Sequence, residues 1–200
     1  MQEAIRHLRQ SDPVLAGIIQ RVGEYGIQFR DPDFETLVKS IVSQQLSGRV
    51  ATVIFGRLRL ATGGKVTPEN VLKLRPARMR ALGLSGQKTE YIRDLARHTR
   101  EGRIRFEELA ALADEEVMAR LTAVKGIGVW TVHMFLMFAL GRLDVLPTGD
   151  LGIRNAIRQA YGLDATPSPG EIEAMAERWH PFCTVASWYL WRSLEPNPNL

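Results

Sequence analysis

An all-helical fold is what this sequence predicts, and three observations carry the prediction. Apolar residues recur at intervals of three and four through nearly the whole chain, the period of an amphipathic helix. Alternating apolar and polar runs, the mark of a half-buried strand, are nearly absent. Pro13, Pro32, Pro68, Pro76 and Pro181 stand where the helical pattern restarts, a place where a missing N–H does no harm.

Taken in order, the pattern predicts helices over 2–10, 13–24, 33–46, 48–61, 68–74, 76–82, 86–101, 106–111, 114–123, 127–141, 150–161, 168–179 and 181–194. Thr67-Pro68-Glu69-Asn70 and Ser168-Pro169-Gly170-Glu171 read as capped starts, with a hydroxyl before a proline at the first helical position. Asp114, Glu115 and Glu116 place acids at the positive end of the next helix dipole. Leu143 to Gly149, LDVLPTG, is the most irregular internal stretch, and the tail over 195–200 reads as frayed.

Composition excludes several classes. Two hundred residues suit one domain or two small lobes with a real core. Lys and Arg total 26 against 22 Asp and Glu, a net of +4 that permits a nucleic-acid partner without requiring one. Cys183 is the single cysteine, which excludes an internal disulfide and any Cys-rich metal or iron–sulfur site and points to a reducing compartment. The N-terminus lacks the apolar core of a signal peptide. The richest apolar run, Val129 to Leu140, is too short to cross a membrane and carries His133. His7, His98, His133 and His180 show no ligand spacing, so a zinc hydrolase is rejected, and no P-loop or strand–turn–helix nucleotide motif is found.

The chain is organised around Leu121 to Leu140, LTAVKGIGVWTVHMFLMFAL, read as a helix end, a Gly-rich turn and a very apolar second helix. The glycines of Lys125-Gly126-Ile127-Gly128 permit positive φ and close approach of a foreign backbone, and Ile127 can plug the gap between the helices. Amides after the turn make a site for an anion such as a DNA phosphate, with Lys125 adding charge. Gly-x-Gly alone is a weak signal, since most such turns only turn. Trp130, in the first turn of the new helix, strengthens it, although a core-facing Trp would be ordinary there.

Asp150 opens the helix of GDLGIRNAIRQAY. Capping accounts for most Asp residues so placed. A carboxylate held ionised by helix amides can also stabilise a cationic transition state or orient a water. Trp179, Trp188, Tyr189 and Trp191 crowd the C-terminal region, a pattern more often core than ligand cradle, and the Trp-bearing segments could line one cleft with Trp130. Trp188 and Trp191 share a face. Gln44, Gln45, Leu46 and Ser47 make a polar corner with an apolar tip at a helix end.

Val124-Lys125-Gly126-Ile127-Gly128-Val129-Trp130-Thr131 followed by Asp144 to Arg154, DVLPTGDLGIR, resembles the helix–hairpin–helix glycosylase superfamily, and within it the DNA-3-methyladenine glycosylase II family. Ser40 to Ser47 is similar to its helix and wedge, Gly83-Leu84-Ser85 with Lys88 and Tyr91-Ile92 to its central loop, and Trp179 to Arg192 to its last helix. The resemblance covers about residues 10–194 and implies two helical lobes, about 33–141 and 1–32 with 142–194, with an active-site cleft between them. The N-terminal mixed α/β domain of longer bacterial members is not found, so the compact form is expected.

The resemblance also implies roles. Asp150 is the expected catalytic residue. Trp130, Met134 and Trp191 are expected in the base pocket, Met134 standing where bacterial relatives offer a tyrosine. Gln44, Gln45, Leu46, Ser47, Lys125, Gly126 and Gly128 are expected to bind DNA, with Leu46 the apolar wedge candidate and Ser47 the alternative. The carbonyls of Thr122, Val124 and Ile127 are expected to hold a monovalent cation, Na⁺ or K⁺, with no cofactor for catalysis. Relatives that also cut the backbone place a Schiff-base lysine where Trp130 stands, so removal of the base alone is expected. The expected substrate is double-stranded DNA carrying 3-methyladenine, 7-methylguanine or related bases, acted on by a monomer in the bacterial cytoplasm at the nucleoid. The competing reading is a helix–hairpin–helix module that binds DNA without chemistry, which would need neither Asp150 nor the aromatics at 130 and 191.

Overall fold

A computed structural model describes residues 1–195, and among them every regular element is helical. The five last residues of the expected tail lie outside the described residues. No helix among the described residues is long and apolar enough to cross a membrane. The chain divides into two compact units, Met1–Phe29 with Leu136–Leu200, and Arg30–Phe135. The second boundary falls inside one helix, α10 (Val129–Phe138).

The first unit holds α1 (Gln2–Ser11), α2 (Pro13–Val22), α11 (Leu151–Ala160), α12 (Pro169–Ala176), a 3-10 turn over Glu177–Trp179, and α13 (Cys183–Ser193). Its core joins Leu8, Leu15, Ile19, Ile153, Ile157 and Leu190 around Trp179. Asp12 is the buried anchor. It caps α2 through the amides of Val14 (2.9 Å) and Leu15 (3.1 Å), while its other oxygen accepts from the Trp179 indole (2.9 Å) and the Tyr161 hydroxyl (2.5 Å). Burial alone would raise this carboxyl, but these four donors outweigh burial and hold its pKa below the usual 3.8. Trp179 is therefore core and not the wall of a cleft, and Trp188 packs on Tyr25 with ring centroids 4.8 Å apart. Sequence spacing alone cannot separate a core indole from an accessible one.

The second unit holds α3 (Phe34–Ser43), α4 (Gly48–Ala61), α5 (Pro68–Lys73), α6 (Pro76–Ala81), α7 (Gly86–Arg100), α8 (Phe106–Leu109), α9 (Asp114–Thr122) and the start of α10. The long α7 packs against α3, α5 and α6 and buries Ile92, Leu95 and Ala96. The expected caps form: the Thr67 hydroxyl accepts from Asn70 N, and Ser168 and Glu171 complete a capping box.

Several ends differ from the pattern. The helix expected over 33–46 stops at Ser43, because Gln44 turns extended and Gln45 takes φ 56°. The helix expected over 127–141 is shorter at both ends, because the turn consumes Gly126 to Gly128 and Gly141 adopts φ 67° while Arg142 N closes back on Leu136 O. Pro32 and Pro181 sit two residues ahead of their helices rather than at the first helical position. Lys88 and Tyr91 lie on α7, the helix expected over 86–101, rather than in the loop that precedes it.

Candidate functional site

In the second unit the turn between α9 and α10 is pinned from three directions. Asp94 on α7 accepts the Lys125 amide at 3.0 Å. Gln44 donates its side-chain amide to Gly126 O at 2.9 Å. The Tyr91 ring lies so close beneath Gly126 that a Cβ there would stand 2.0 Å from ring carbon, and the residue has φ 79°. Both the close approach and the left-handed backbone thus require glycine. Gly128 differs from expectation, since it has no positive φ and a Cβ on it would meet nothing within 4 Å. The space beside it is open to a partner rather than filled from within. Ile127 is buried, as the plug reading requires. Val132 N donates to Gly128 O at 3.1 Å and so begins the helix ladder, which leaves the amides at 128 and 129 ahead of it at the positive end of α10.

The expected charge of Lys125 is moderated, because its ammonium pairs with Glu90 at 2.7 Å, both side chains being exposed. Lys88 does more than Lys125 for the local geometry. Its ammonium donates to Val42 O (2.7 Å) and Gln44 O (2.6 Å), closing the carbonyl end of α3. Partial burial lowers the Lys88 pKa. Gln44, half-buried, donates its side-chain amide to the turn and so ties this loop to the hairpin. Gln45, Leu46 and Ser47 project outward, Leu46 with 37% of its surface exposed. Trp130 is 49% exposed, so it is not a core residue, and Met134 is half-buried. Thr122 ends α9, and Val124 O already accepts from Ile127 N at 3.1 Å.

In the first unit, Asp150 caps α11 by accepting Ile153 N at 2.9 Å, and the same oxygen accepts the Trp191 indole N–H at 2.9 Å. Trp191 stacks on Phe138 with centroids 5.9 Å apart and planes inclined by 30°. Gly152 makes this possible: a Cβ there would stand 3.0 Å from the Asp150 oxygen and 3.0 Å from the indole ring. The structure thus brings Asp150 and Trp191 into direct contact, although they are far apart in sequence.

Residues 38–181 match the family described as HhH-GPD superfamily base excision DNA repair protein. The chain belongs to the HhH-GPD superfamily. It is 37% identical over 194 residues to DNA-3-methyladenine glycosylase 1 of Schizosaccharomyces pombe, covering 94% of this chain and 85% of that protein. Its fold is similar to that of the fission yeast enzyme Mag1 in complex with abasic DNA, with a TM-score of 0.84, 36% identity and 95% of each chain covered. It is also similar to a DNA-3-methyladenine glycosidase from Bacillus halodurans, with a TM-score of 0.85, 39% identity, and 93% and 86% of the two chains covered. The HhH-GPD match spans both the pinned turn and Asp150.

What the sequence did not reveal in this HhH-GPD chain is how the supporting set acts: Lys88 and Tyr91, which the resemblance names without a role, Asp94 beside them on α7, Gln44 as a tie, and Gly152 beneath Asp150. Lys88, Tyr91 and Asp94 fall three apart along one helical stripe, which was the available signal.

Proposed function

We propose that this chain is a DNA glycosylase that hydrolyses the N-glycosidic bond of alkylated bases in duplex DNA and leaves an abasic site. The observation that carries the reading is the carboxylate of Asp150, held by an α11 amide and by Trp191 beside the Phe138 ring, in a chain similar to proteins named 3-methyladenine glycosylases. A module that only binds DNA needs Asp150 as the α11 cap but not the Trp191 indole on the same oxygen.

The mechanism follows from the charges. The target nucleotide leaves the stack at a cost of a few kcal/mol. Gln45 and Leu46, projecting from the loop that Lys88 fixes, fill the vacated space, and the Gly126 and Gly128 backbone holds a phosphate. Trp191, whose indole meets Asp150, receives the base. A 3-methyladenine or 7-methylguanine is cationic, so it stacks on indole by cation–π attraction and departs as a neutral molecule without a strong acid. The C1′–N electron pair leaves with the base, the sugar becomes oxocarbenium-like, and water adds to C1′ and gives up a proton. Asp150 stabilises that cation and orients the water. Trp130 stands where a lyase needs an amine, so no Schiff base forms and the strand stays intact.

The carbonyls of Thr122, Val124 and Ile127 suit a hard monovalent cation. Thr122 O is among the last carbonyls of α9, at the negative end of its dipole, and Val124 O keeps a second lone pair beside its bond from Ile127. Such a cation would add positive charge behind the phosphate-binding amides.

Single-lesion duplexes containing 3-methyladenine or 7-methylguanine test the reading directly. Wild type is expected to release the base and leave an unbroken strand, and Asp150→Asn to fall by about a hundredfold or more while still binding DNA. Binding by wild type with no base released from any alkylated duplex would favour the non-enzymatic module.

A further inference from the structure

The irregular stretch that delivers Asp150 is fastened to the first turn of α13 by a set of hydrogen bonds that the proposed chemistry does not use. Thr184 N donates to Leu143 O (2.9 Å), its hydroxyl donates to Arg142 O (2.7 Å) and accepts from Val145 N (3.0 Å), and Cys183 N donates to an Asp144 oxygen (3.1 Å). At the centre of this clasp three side chains of different chemistry converge. His180 Nδ1 lies 2.8 Å from an Asp144 oxygen, and the Cys183 sulfur lies 3.6 Å from the same ring nitrogen. One ligand atom from each of the three residues falls within 4.8 Å of the others.

We propose that Asp144, His180 and Cys183 form a binding site for a divalent cation of the zinc class. The ligand set argues for that class. A thiolate and an imidazole select zinc-like ions, whereas magnesium and calcium want oxygen alone. The two edges that run through His180 suit such an ion in spacing as well, and the sulfur–carboxylate edge lies within 4.8 Å. Bonds of about 2.0 to 2.3 Å in a tetrahedral site put neighbouring ligand atoms roughly 3.3 to 3.8 Å apart. The sulfur–nitrogen edge already meets this, and the nitrogen–oxygen edge opens by about half an ångström once the hydrogen-bonded proton is replaced by metal. Access is suitable, since the Asp144 and His180 side chains are 38% and 46% exposed while Cys183 forms the buried floor. That leaves the outer corner for a water ligand.

The potential also suits a cation. The Asp144 carboxylate that faces this pocket attracts a metal, which displaces the thiol's proton to solvent. The histidines read along the sequence show no ligand spacing because Asp144, the third member, comes from a different stretch of chain. Bound metal ties the residues just before Asp150 to the helix that carries Trp191, so its effect on base release rests on the glycosylase reading, while the site itself does not.

Chelator-treated full-length protein, dialysed against Zn²⁺ at buffered micromolar free concentration, tests the site by metal analysis, and Co²⁺ titration tests the sulfur through the near-ultraviolet thiolate-to-cobalt absorption. One equivalent of zinc, a thiolate band with cobalt and a higher melting temperature with metal are expected for wild type. Cys183→Ala and His180→Ala should each lose the stoichiometric metal; the second alters an exposed side chain and guards against a folding defect in the first. Substoichiometric zinc in wild type, cobalt bound without the thiolate band, or equal zinc in wild type and both variants would each overturn the site. None of these results depends on base release, so the glycosylase reading stands or falls separately.

Discussion

Asp150 and Gly152 work as a pair, because the only room for the indole that binds the carboxylate is the room a missing side chain leaves. Gly152→Ala puts a methyl 3.0 Å from both the Asp150 oxygen and the Trp191 ring. One of them must move, and the α11 backbone cannot easily yield. The expected outcome is a fall in base release of about tenfold or more with little change in melting temperature, since alanine suits a helix better than glycine and sub-ångström misplacement is costly to catalysis. Single-turnover release at saturating enzyme checks it, and unchanged release would show that the Asp150–Trp191 contact is incidental. At this scale the sequence was half legible. Asp150 stood out through its position at a helix start, and the Gly-rich turn through its spacing. Trp191 and Trp179 looked alike, yet one meets Asp150 and the other meets Asp12 in the core. The difference lies in partners contributed by remote stretches of chain, which a local pattern does not record.

Elements show why the second unit presents its loop and its turn in a fixed relation. The stripe Lys88, Tyr91 and Asp94 on α7 reaches the carbonyl end of α3 and both sides of Gly126. Lys88→Met removes the ammonium from two carbonyls at once while keeping the aliphatic stem. A loss of about 1–3 kcal/mol in stability is expected, from carbonyls left without their donor. A larger relative loss is expected in base release than in affinity for undamaged DNA, because Gln45 and Leu46 would no longer be held ready. Chemical denaturation alongside release and binding assays separates the two, and a proportional loss of both would argue against a positioning role. Gly126→Ala is the harsher change. It combines positive φ with a clash into the Tyr91 ring, and a cost of about 1–3 kcal/mol is expected from backbone strain alone, with repacking against the ring added. Most helices were legible because their period and caps are local. The early stop at Ser43 was not, because it depends on Lys88 reaching from α7, far along the chain.

For the whole molecule, the buried charges decide how it responds to acid. Asp12 in the first unit and Asp94 in the second both have pKa values held below the usual 3.8, in each case because donors outweigh the effect of burial. A carboxylate depressed on folding contributes stability that is fully present above its unfolded pKa and is lost as pH falls through the lower folded value. Each unit therefore carries its own acid-sensitive anchor, and stability should decline below about pH 4. His98 and His133 act in the same direction at higher pH. Burial lowers both from the usual 6.5, so neutral forms are favoured and stability begins to fall as pH drops through that range. Asp12→Asn tests the more deeply buried of the two carboxylates. An amide cannot accept from both Trp179 and Tyr161 and also cap α2 without turning its own N–H₂ toward a donor. The variant is expected to lose about 3 kcal/mol at neutral pH, as for other broken buried charge networks. Urea unfolding across pH 3 to 7 reads the sign: the gap between wild type and variant should narrow toward the acid end, where the wild-type carboxyl takes up its proton. A gap that stayed constant would mean that shape and hydrogen bonding, rather than ionisation, supply the stability at Asp12.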